Sequence, residues 1–384
     1  MSQSPTYKLG DVAKIILGQS PESKSYNTNG EGLPFFQGKS EFTDWFPIPN
    51  KWCTEPKKIA EPFDILLSVR APVGPTNVAK EKCCIGRGLV AIRYSECYKY
   101  VLYYLRSVSK YLESKATGTT FSSISGDVIK NLPIPLPPLP TQHAIVSRIE
   151  SLFAELDKAE EHLRTAQQQL KIYRQAVLNH WLNNEDGKWE MVKLGDVAEI
   201  KRGRSKHRPR NDKSLFGGKY PFIQTGEIRE ANGGTITKFS QTYSEKGLEQ
   251  SRLWPKGTLC LTIAANIAET AYLGFDACFP DSVVGILAKE DMLSLGYFNF
   301  FIQLIKQEIE NKASATAQKN INVEFLENLD IFLPPLSEQQ RIVEEIESRL
   351  SQTEATEACI AESLQQTEAL RQSILKKAFS GDLI

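Results

Sequence analysis

Cysteine and histidine are the residues most able to do chemistry on their own, and their spacing here offers none. Seven cysteines (Cys53, Cys83, Cys84, Cys97, Cys260, Cys278 and Cys359) contain no CxxC step, and His143, His162, His180 and His207 make no metal-ligand spacing. An odd count without zinc or disulfide spacing reads as reduced thiols in a cytoplasm. GKS at Gly38–Ser40 invites a phosphate loop, but that loop needs a glycine five residues before its second one, where Leu33 stands, followed by Pro34. GRGLVA at Gly86–Ala91 fits a loose GxGxxA; a dinucleotide site wants strand, turn and then helix, and a strand-like run follows instead. There is no Asp-Pro-Pro-Tyr or Asn-Pro-Pro-Tyr step of the adenine methyltransferase kind, no acidic pair followed by Glu-x-Lys, and no Ser/His/Asp set that recurs. The chain reads as a binder and not as an enzyme acting alone.

The chemistry that is present is cationic and amide. Lysine and arginine total 46 and so do aspartate and glutamate, for a net charge of zero, yet the charge is segregated. Lys201 to Arg210 holds six basic residues and no acid, whereas Glu338 to Glu368 holds eight glutamates and two arginines. Arg204, Lys206, His207, Arg208 and Arg210 stand in a polar loop from Gly203 to Gly218, and a matching loop from Gly18 to Gly32 carries Ser20 and Lys24. After each loop comes a parallel phrase: LPFFQGKSEF, with Gln37 and Lys39, and YPFIQTGEIR, with Gln224 and Thr225. Arginine and lysine neutralise phosphate, and arginine or glutamine can make paired contacts to base edges, so these residues are candidates for double-stranded DNA. A solvated charge run is the plain alternative for Lys201–Arg210, and a hydrogen bond at a strand end is the plain alternative for Gln37 and Gln224. Arg70 and Arg87 flank strand-like runs, where a DNA contact and a structural ion pair fit equally.

The elements that must position these residues occur twice. KLGDVA at Lys8–Ala13 returns at Lys193–Ala198, an offset of 185, and LPPL at Leu136–Leu139 returns at Leu333–Leu336, an offset of 197. After each LPPL come a glutamine (Gln142, Gln339), an Ile-Val pair, an Ile-Glu pair and a closing Arg-Gln (Arg174-Gln175, Arg371-Gln372), all at 197. The 12 additional residues of the second copy therefore lie between KLGDVA and LPPL. Apolar or small residues at Ile145, Ile149, Leu152, Leu156, Ala159, Leu163, Ala166, Leu170, Tyr173 and Val177 form a heptad seam, with no proline or glycine from Thr141 to Asn184. The equivalent seam, Ile342, Ile346, Arg349, Thr353, Thr356, Ile360, Ser363, Thr367, Leu370 and Ile374, is weaker, with Leu350 and Leu364 one step off it. Rods of about 60 Å follow from the 1.5 Å helical rise. Asp64–Val69, Leu89–Arg93, Gly257–Ile263 and Ser282–Leu287 read as short buried strands, and Tyr98–Glu113 and Gly296–Glu310 as short helices. The predicted fold class is α+β: two globular β-rich domains (1–139 and 185–335), each followed by a long helix (140–184 and 336–384), the helices pairing antiparallel in a pseudo-two-fold repeat. No apolar run approaches the roughly 18 residues of a membrane span, and MSQSPTYKLG does not read as a signal peptide.

In this order and twice over, these motifs resemble the specificity subunit of type I restriction-modification systems. The likeness rests most on NLPIPLPPL (Asn131–Leu139), NLDIFLPPL (Asn328–Leu336) and SATAQKNIN (Ser314–Asn322), and it covers nearly the whole chain. The first copy departs from the second at His143-Ala144 against Gln340-Arg341, and GTTFSSIS (Gly118–Ser125) only loosely matches its counterpart. The resemblance implies two target-recognition domains, each reading half of a bipartite site, and a non-catalytic, cytoplasmic subunit. It implies helices that fix the gap and dock two methyltransferase subunits, with Gln142, Ile145, Ile149, Gln339, Ile342 and Ile346 as docking positions. Restriction/translocase subunits are further implied partners. No cofactor is expected in this chain; S-adenosylmethionine, ATP and Mg belong to the partners. A coiled-coil scaffold without sequence reading is the alternative.

Overall fold

The computed structural model describes residues 5–117, 122–184, 187–207, 209–264, 266–289, 291–314 and 320–383. The chain forms two compact units, Met1–Arg164 with Ala361–Ile384, and Thr165–Ile360. The boundaries expected from the sequence fall at helix ends, whereas these units divide each long helix near its middle. A helix of 44 residues (Leu139–Leu182) or 45 (Leu336–Ser380) is longer than the core of one globule, and each globule keeps the turns that pack on it.

In unit 1 a four-stranded antiparallel sheet has the order Lys14–Leu17, Leu89–Arg93, Ile65–Ser68, Thr76–Val78. A five-stranded mixed sheet has the order Tyr26–Asn27, Trp52–Cys53, Leu33–Phe36, Cys83–Ile85, Ile59–Ala60. Strand Ile65–Ser68 reads as an unbroken apolar run because both of its faces are covered. Ile65 and Leu67 pack towards the helix Tyr98–Ser107, and Leu66 joins Phe36, Ile85 and Leu89 on the other side. Unit 2 repeats the plan with a five-stranded sheet in the order Ala198–Arg202, Val283–Ala288, Leu259–Thr262, Thr270–Leu273, Thr235–Ile236. Leu259 and Leu261 meet the helix Leu295–Ser314, and Cys260 faces the opposite core.

The two most repeated phrases are hydrogen-bonded to each other. Thr6–Lys8, which leads into LGDV, pairs antiparallel with Pro133–Pro135, which leads into LPPL; Glu190–Lys193 pairs with Asp330–Leu333 in the same way. Leu9 N–H donates to Leu132 O at 2.8 Å and Leu194 N–H to Leu329 O at 2.9 Å. A Cβ on Gly10 would stand 3.0–3.2 Å from Lys130, and one on Gly195 about as close to Glu327, so glycine lets the short LGDV helix press on the facing one. Tyr100 and Tyr297, also 197 apart, donate their hydroxyls to Pro135 O (2.7 Å) and Phe332 O (2.8 Å). This clasp joins the first and last segments of each globule and accounts for the repeated residues structurally.

The antiparallel pairing of the helices is visible inside each unit. In unit 1 the end of the second helix brings Leu375, Ala378 and Phe379 into the core that holds Ile145, Val146 and Ile149 of the first. In unit 2 the end of the first helix brings Val177, Leu178 and Leu182 into the core that holds Ile342, Ile346 and Leu350 of the second. Arg371 binds Asp157, and Arg174 lies 3.9 Å from Glu354. Arg174 and Arg371 are equivalent positions and so are Asp157 and Glu354, so one ion pair is built twice with the helices exchanged. The second seam holds in part: Ile342, Ile346, Thr353, Ile360 and Thr367 are buried as expected, whereas Arg349, Thr356 and Leu370 are exposed and Leu350 and Leu375, one step off the seam, are buried instead. A helix of 3.6 residues per turn drifts off a strict 3.5 repeat, so off-seam Leu350 lands inside while Leu364 is half-buried. Buried Thr353 and Thr367 satisfy their hydroxyls on the carbonyls of Arg349 and Ser363.

The six docking positions need correction. Gln142, Ile145, Ile149, Gln339, Ile342 and Ile346 are all buried in the cores of their own units. Gln142 donates to Pro137 O and contacts the Tyr94 hydroxyl; Gln339 donates to Pro334 O and Met292 O and accepts from Ser294 N–H. These glutamines satisfy the backbone at the prolines that begin each long helix, where a buried carbonyl must find a donor. Among the described residues no helix is long and apolar enough to cross a membrane.

Candidate nucleic-acid interface

In unit 1 the chain brings four of the six candidate residues to one sheet end. Gly18 N–H donates to Leu89 O and Gln19 N–H to Ile85 O, which lays the segment after KLGDVA across the start of the strand Leu89–Arg93. A Cβ on Gly18 would stand 2.1 Å from Gly86 O, so only glycine permits this crossing. Ser20 then reaches Gln37, the two side chains hydrogen-bonding at 3.1 Å, and Arg87 N–H donates to Ser20 Oγ at 3.3 Å. Val69 N–H donates to Gly88 O, which brings Arg70 alongside the turn that carries Arg87. Arg70, Arg87 and Gln37 are exposed, and neither arginine has an ion pair among the described residues. Tyr26, not anticipated from the sequence, braces the edge: it stacks on Phe35 with ring centres 4.6 Å apart, donates to Pro21 O, and has its hydroxyl pKa raised first by burial. Lys24 is exposed and paired with Glu22 at 3.0 Å, and Lys39 opens a single exposed turn, Lys39–Glu41. Neither makes a described contact with the Ser20–Gln37–Arg87 cluster.

In unit 2 Gly203 makes the crossing that Gly18 makes in unit 1, its N–H donating to Val283 O and its Cα packed on Pro280. The basic cluster around it is neutralised only in part, by acids near and far in sequence. Arg210 binds Asp281 at 2.7 Å, Arg202 donates to the backbone oxygen of Asp281, Lys201 binds Glu199, and His207 lies 2.8 Å from Asp212. Asp212 is held well below the ordinary carboxylate range, first by Ser214 N–H, then by the Ser214 hydroxyl and His207. Arg204 and Lys206 are exposed and have no ion pair among the described residues, and Arg208 lies outside the described residues. So do residues 118–121 and 315–319, parts of the GTTFSSIS and SATAQKNIN phrases.

Gln224, in the same Pro-Phe-x-Gln phrase as Gln37, ends its strand differently. It caps the helix Thr225–Ala231, whose first residue is Thr225, and Glu227 returns to Gln224 N–H at 3.1 Å. The Gln224 amide donates to Gln241 at 2.9 Å, and Glu227 also accepts from Ser240. Glu227, Ser240, Gln241, Asp212 and Asp281 carry this edge and were missed from the sequence. Only the spacing of Gln224 to Glu227, which suits a capping box, was a local signal. Each unit therefore presents an exposed amide held by a side chain from another loop, Ser20 for Gln37 and Gln241 for Gln224. Among the described residues no group of three or more His, Cys, Asp or Glu could hold a metal ion.

Comparison with known proteins gives one family. A profile described as the type I restriction modification DNA specificity domain matches residues 1–165 and 186–366. A Methanocaldococcus jannaschii chain provisionally named the type I restriction enzyme MjaX specificity subunit is 40% identical over 169 residues, covering 43% of this chain and 39% of its own length. The EcoKI specificity subunit of Escherichia coli K12 is 23% identical over 378 residues, covering 90% of this chain and 80% of that one. Among solved structures, a chain from a study of complex assembly and conformational transition of the type I R-M system superposes with a TM-score of 0.80 at 20% identity, covering 100% and 99% of the two chains. The HsdS subunit of Thermoanaerobacter tengcongensis gives 0.56 at 20% identity, covering 100% and 98%. These structural likenesses are likenesses of fold.

Proposed function

Since this chain belongs to the type I restriction modification DNA specificity family, we propose that it is the sequence-reading subunit of a restriction-modification complex, each unit reading one half of a bipartite double-stranded DNA site. The observation that carries the proposal is a constant frame under a changed edge. The clasp of KLGDV and LPPL, the two tyrosines and the reciprocal ion pair are built twice with partners at equivalent positions. The exposed ends differ: Ser20, Gln37, Arg70 and Arg87 in one unit, Arg204, Lys206, Gln224 and Gln241 in the other. Arginine and glutamine side chains fixed at a sheet end can meet base edges in the major groove, and the unpaired cations can meet phosphate.

On this reading the chemistry belongs to the partners. Two methyltransferase subunits, one for each repeat of the frame, hold S-adenosylmethionine and modify adenine; a restriction subunit uses ATP and Mg. They dock on exposed faces of the two long helices, whose inward residues are occupied, and the helix length fixes the gap between the half-sites. A coiled-coil scaffold without sequence reading is not favoured by the family, and nothing in the two edges calls for it.

The test is genome-wide detection of N6-methyladenine in cells carrying the neighbouring methyltransferase, with and without this chain. One bipartite motif that appears only when the chain is present is the expected result. Methylation that is absent, or indifferent to the chain, overturns the proposal.

A further inference from the structure

Unit 1 carries a second basic surface that the reading edge does not use. An open groove of about 810 Å³ runs along the edge strand Lys14–Leu17 and continues over Gly18 and Gln19. Four cations line it: Lys14, Lys58, Arg93 and Lys130. Its walls are fixed by backbone. Lys14 stands opposite Arg93 in the sheet register. Ile85 N–H donates to Lys58 O while Ile85 O accepts from Gln19 N–H, so Lys58 and Gln19 flank one strand. The short helix Gly126–Lys130 lies against Leu17 at one end and Gly10 at the other.

The charges are not equally available. Arg93 is held by Asp64 through two hydrogen bonds of 2.7 Å, and Glu61, also in the lining, binds Lys82 at 3.3 Å. Lys14, Lys58 and Lys130 are exposed and have no ion pair among the described residues. Three uncompensated ammonium groups around one groove make a site for a polyanion. Unit 2 does not repeat these charges: the repeat offsets place Glu199 at the position of Lys14 and Glu327 at that of Lys130. Glu199 is itself engaged by Lys201 and, at 3.8 Å, by Arg252.

We propose that this groove is a phosphate track, found in unit 1 and not in unit 2, in which Lys14, Lys58 and Lys130 neutralise backbone phosphates beside the Ser20–Gln37–Arg87 reading edge. The inference rests on the reading of the chain as a DNA-specificity subunit. Continuity favours DNA over a protein partner, because Gly18 and Gln19 line the groove and the next residue, Ser20, belongs to the reading edge. The four steps from Lys14 to Gly18 span about 13 Å at the rise of a strand. At about 3.4 Å of duplex per phosphate on one strand, that is room for three or four nucleotides.

The test uses the complex assembled with its methyltransferase, on two duplexes, one carrying the bipartite site from the methylation map and one without it. Replacing Lys14, Lys58 and Lys130 together by Gln should weaken binding to both duplexes and leave their affinity ratio unchanged. The slope of log affinity against log salt should become shallower by about 2 to 3, near one unit per lysine. Lys14→Glu with Lys130→Glu, which installs the unit 2 residues, should weaken binding further. An unchanged salt slope in a complex that assembles overturns the track. So does loss of the methyltransferase from the glutamine variant, since the groove is then a protein-docking surface. If the unaltered complex does not distinguish the two duplexes, the specificity reading fails instead, while the salt slope on the plain duplex still tests the groove.

Discussion

Asp64 has a relative exposure of 1% and accepts three hydrogen bonds, two from Arg93 and one from Glu61 N–H at 2.8 Å. A buried carboxylate is tolerable only while its partners remain, because removing one leaves a charge out of water without compensation. Arg93→Ala is therefore expected to lower unfolding stability by about 2–4 kcal/mol, read as a fall in the urea midpoint at constant slope. Arg164→Ala, which removes an exposed pairing with Glu160 one helical turn away, should cost under about 0.5 kcal/mol. Equal losses at the two positions would refute the distinction drawn from burial. The Arg93–Asp64 pair was not legible in the sequence, unlike Glu160 and Arg164, which stand one turn apart on a predicted helix. Asp64 appeared only as the first residue of an apolar run, and its partner lies 29 residues away. The same blindness to distant partners explains why Gln142 and Gln339 read as docking residues. Their repetition was visible, but the proline carbonyls they satisfy became visible only in the fold.

At the scale of elements, periodicity carried most of the reading. The strand Leu89–Arg93 lies where its short apolar run placed it, and both long helices start and end within a few residues of their predicted bounds. The helix Thr225–Ala231 was missed because seven residues with one buried side chain give no helical stripe. It lies in the segment that accounts for much of the greater length of the second copy: Gln37 precedes Ile65 by 28 residues, whereas Gln224 precedes Leu259 by 35. The glycines after the first full strand of each copy are set by geometry that no local pattern announces. Gly18→Ala places a Cβ against Gly86 O and must displace the turn that carries Arg87. We expect a loss of about 1–3 kcal/mol, the usual range for overpacking, together with relaxed reading of one half-site while the other is unchanged. The methylation motif of the variant checks this. Relaxation of both half-sites at once would mean that the crossing is not a local device of unit 1.

For the whole molecule, the quantity that matters is the length of helix shared by the two copies. Within unit 2 Arg174 faces Glu354, and by that pairing the heptad Gln167–Tyr173 of one helix corresponds in sequence to the heptad Ala355–Ala361 of the other. Deleting both heptads keeps the apolar seam in phase to within about 20° and removes about 10 Å of helix from each strand of the pair. On DNA that length corresponds to about three base pairs. The expected outcome is a methylation motif with both half-sites intact and a gap shorter by about three base pairs. The deletion should also weaken binding. Three base pairs turn the duplex by about 100°, far more than the helices turn, so the two reading edges would meet their half-sites out of phase. Deleting only one heptad leaves the facing helix too long and should impair assembly instead, which gel filtration of the complex separates from a change in reading. A motif whose half-sites change while its gap stays constant would show that the helices do not measure the distance, and that the spacing is set within the units or by the partner subunits.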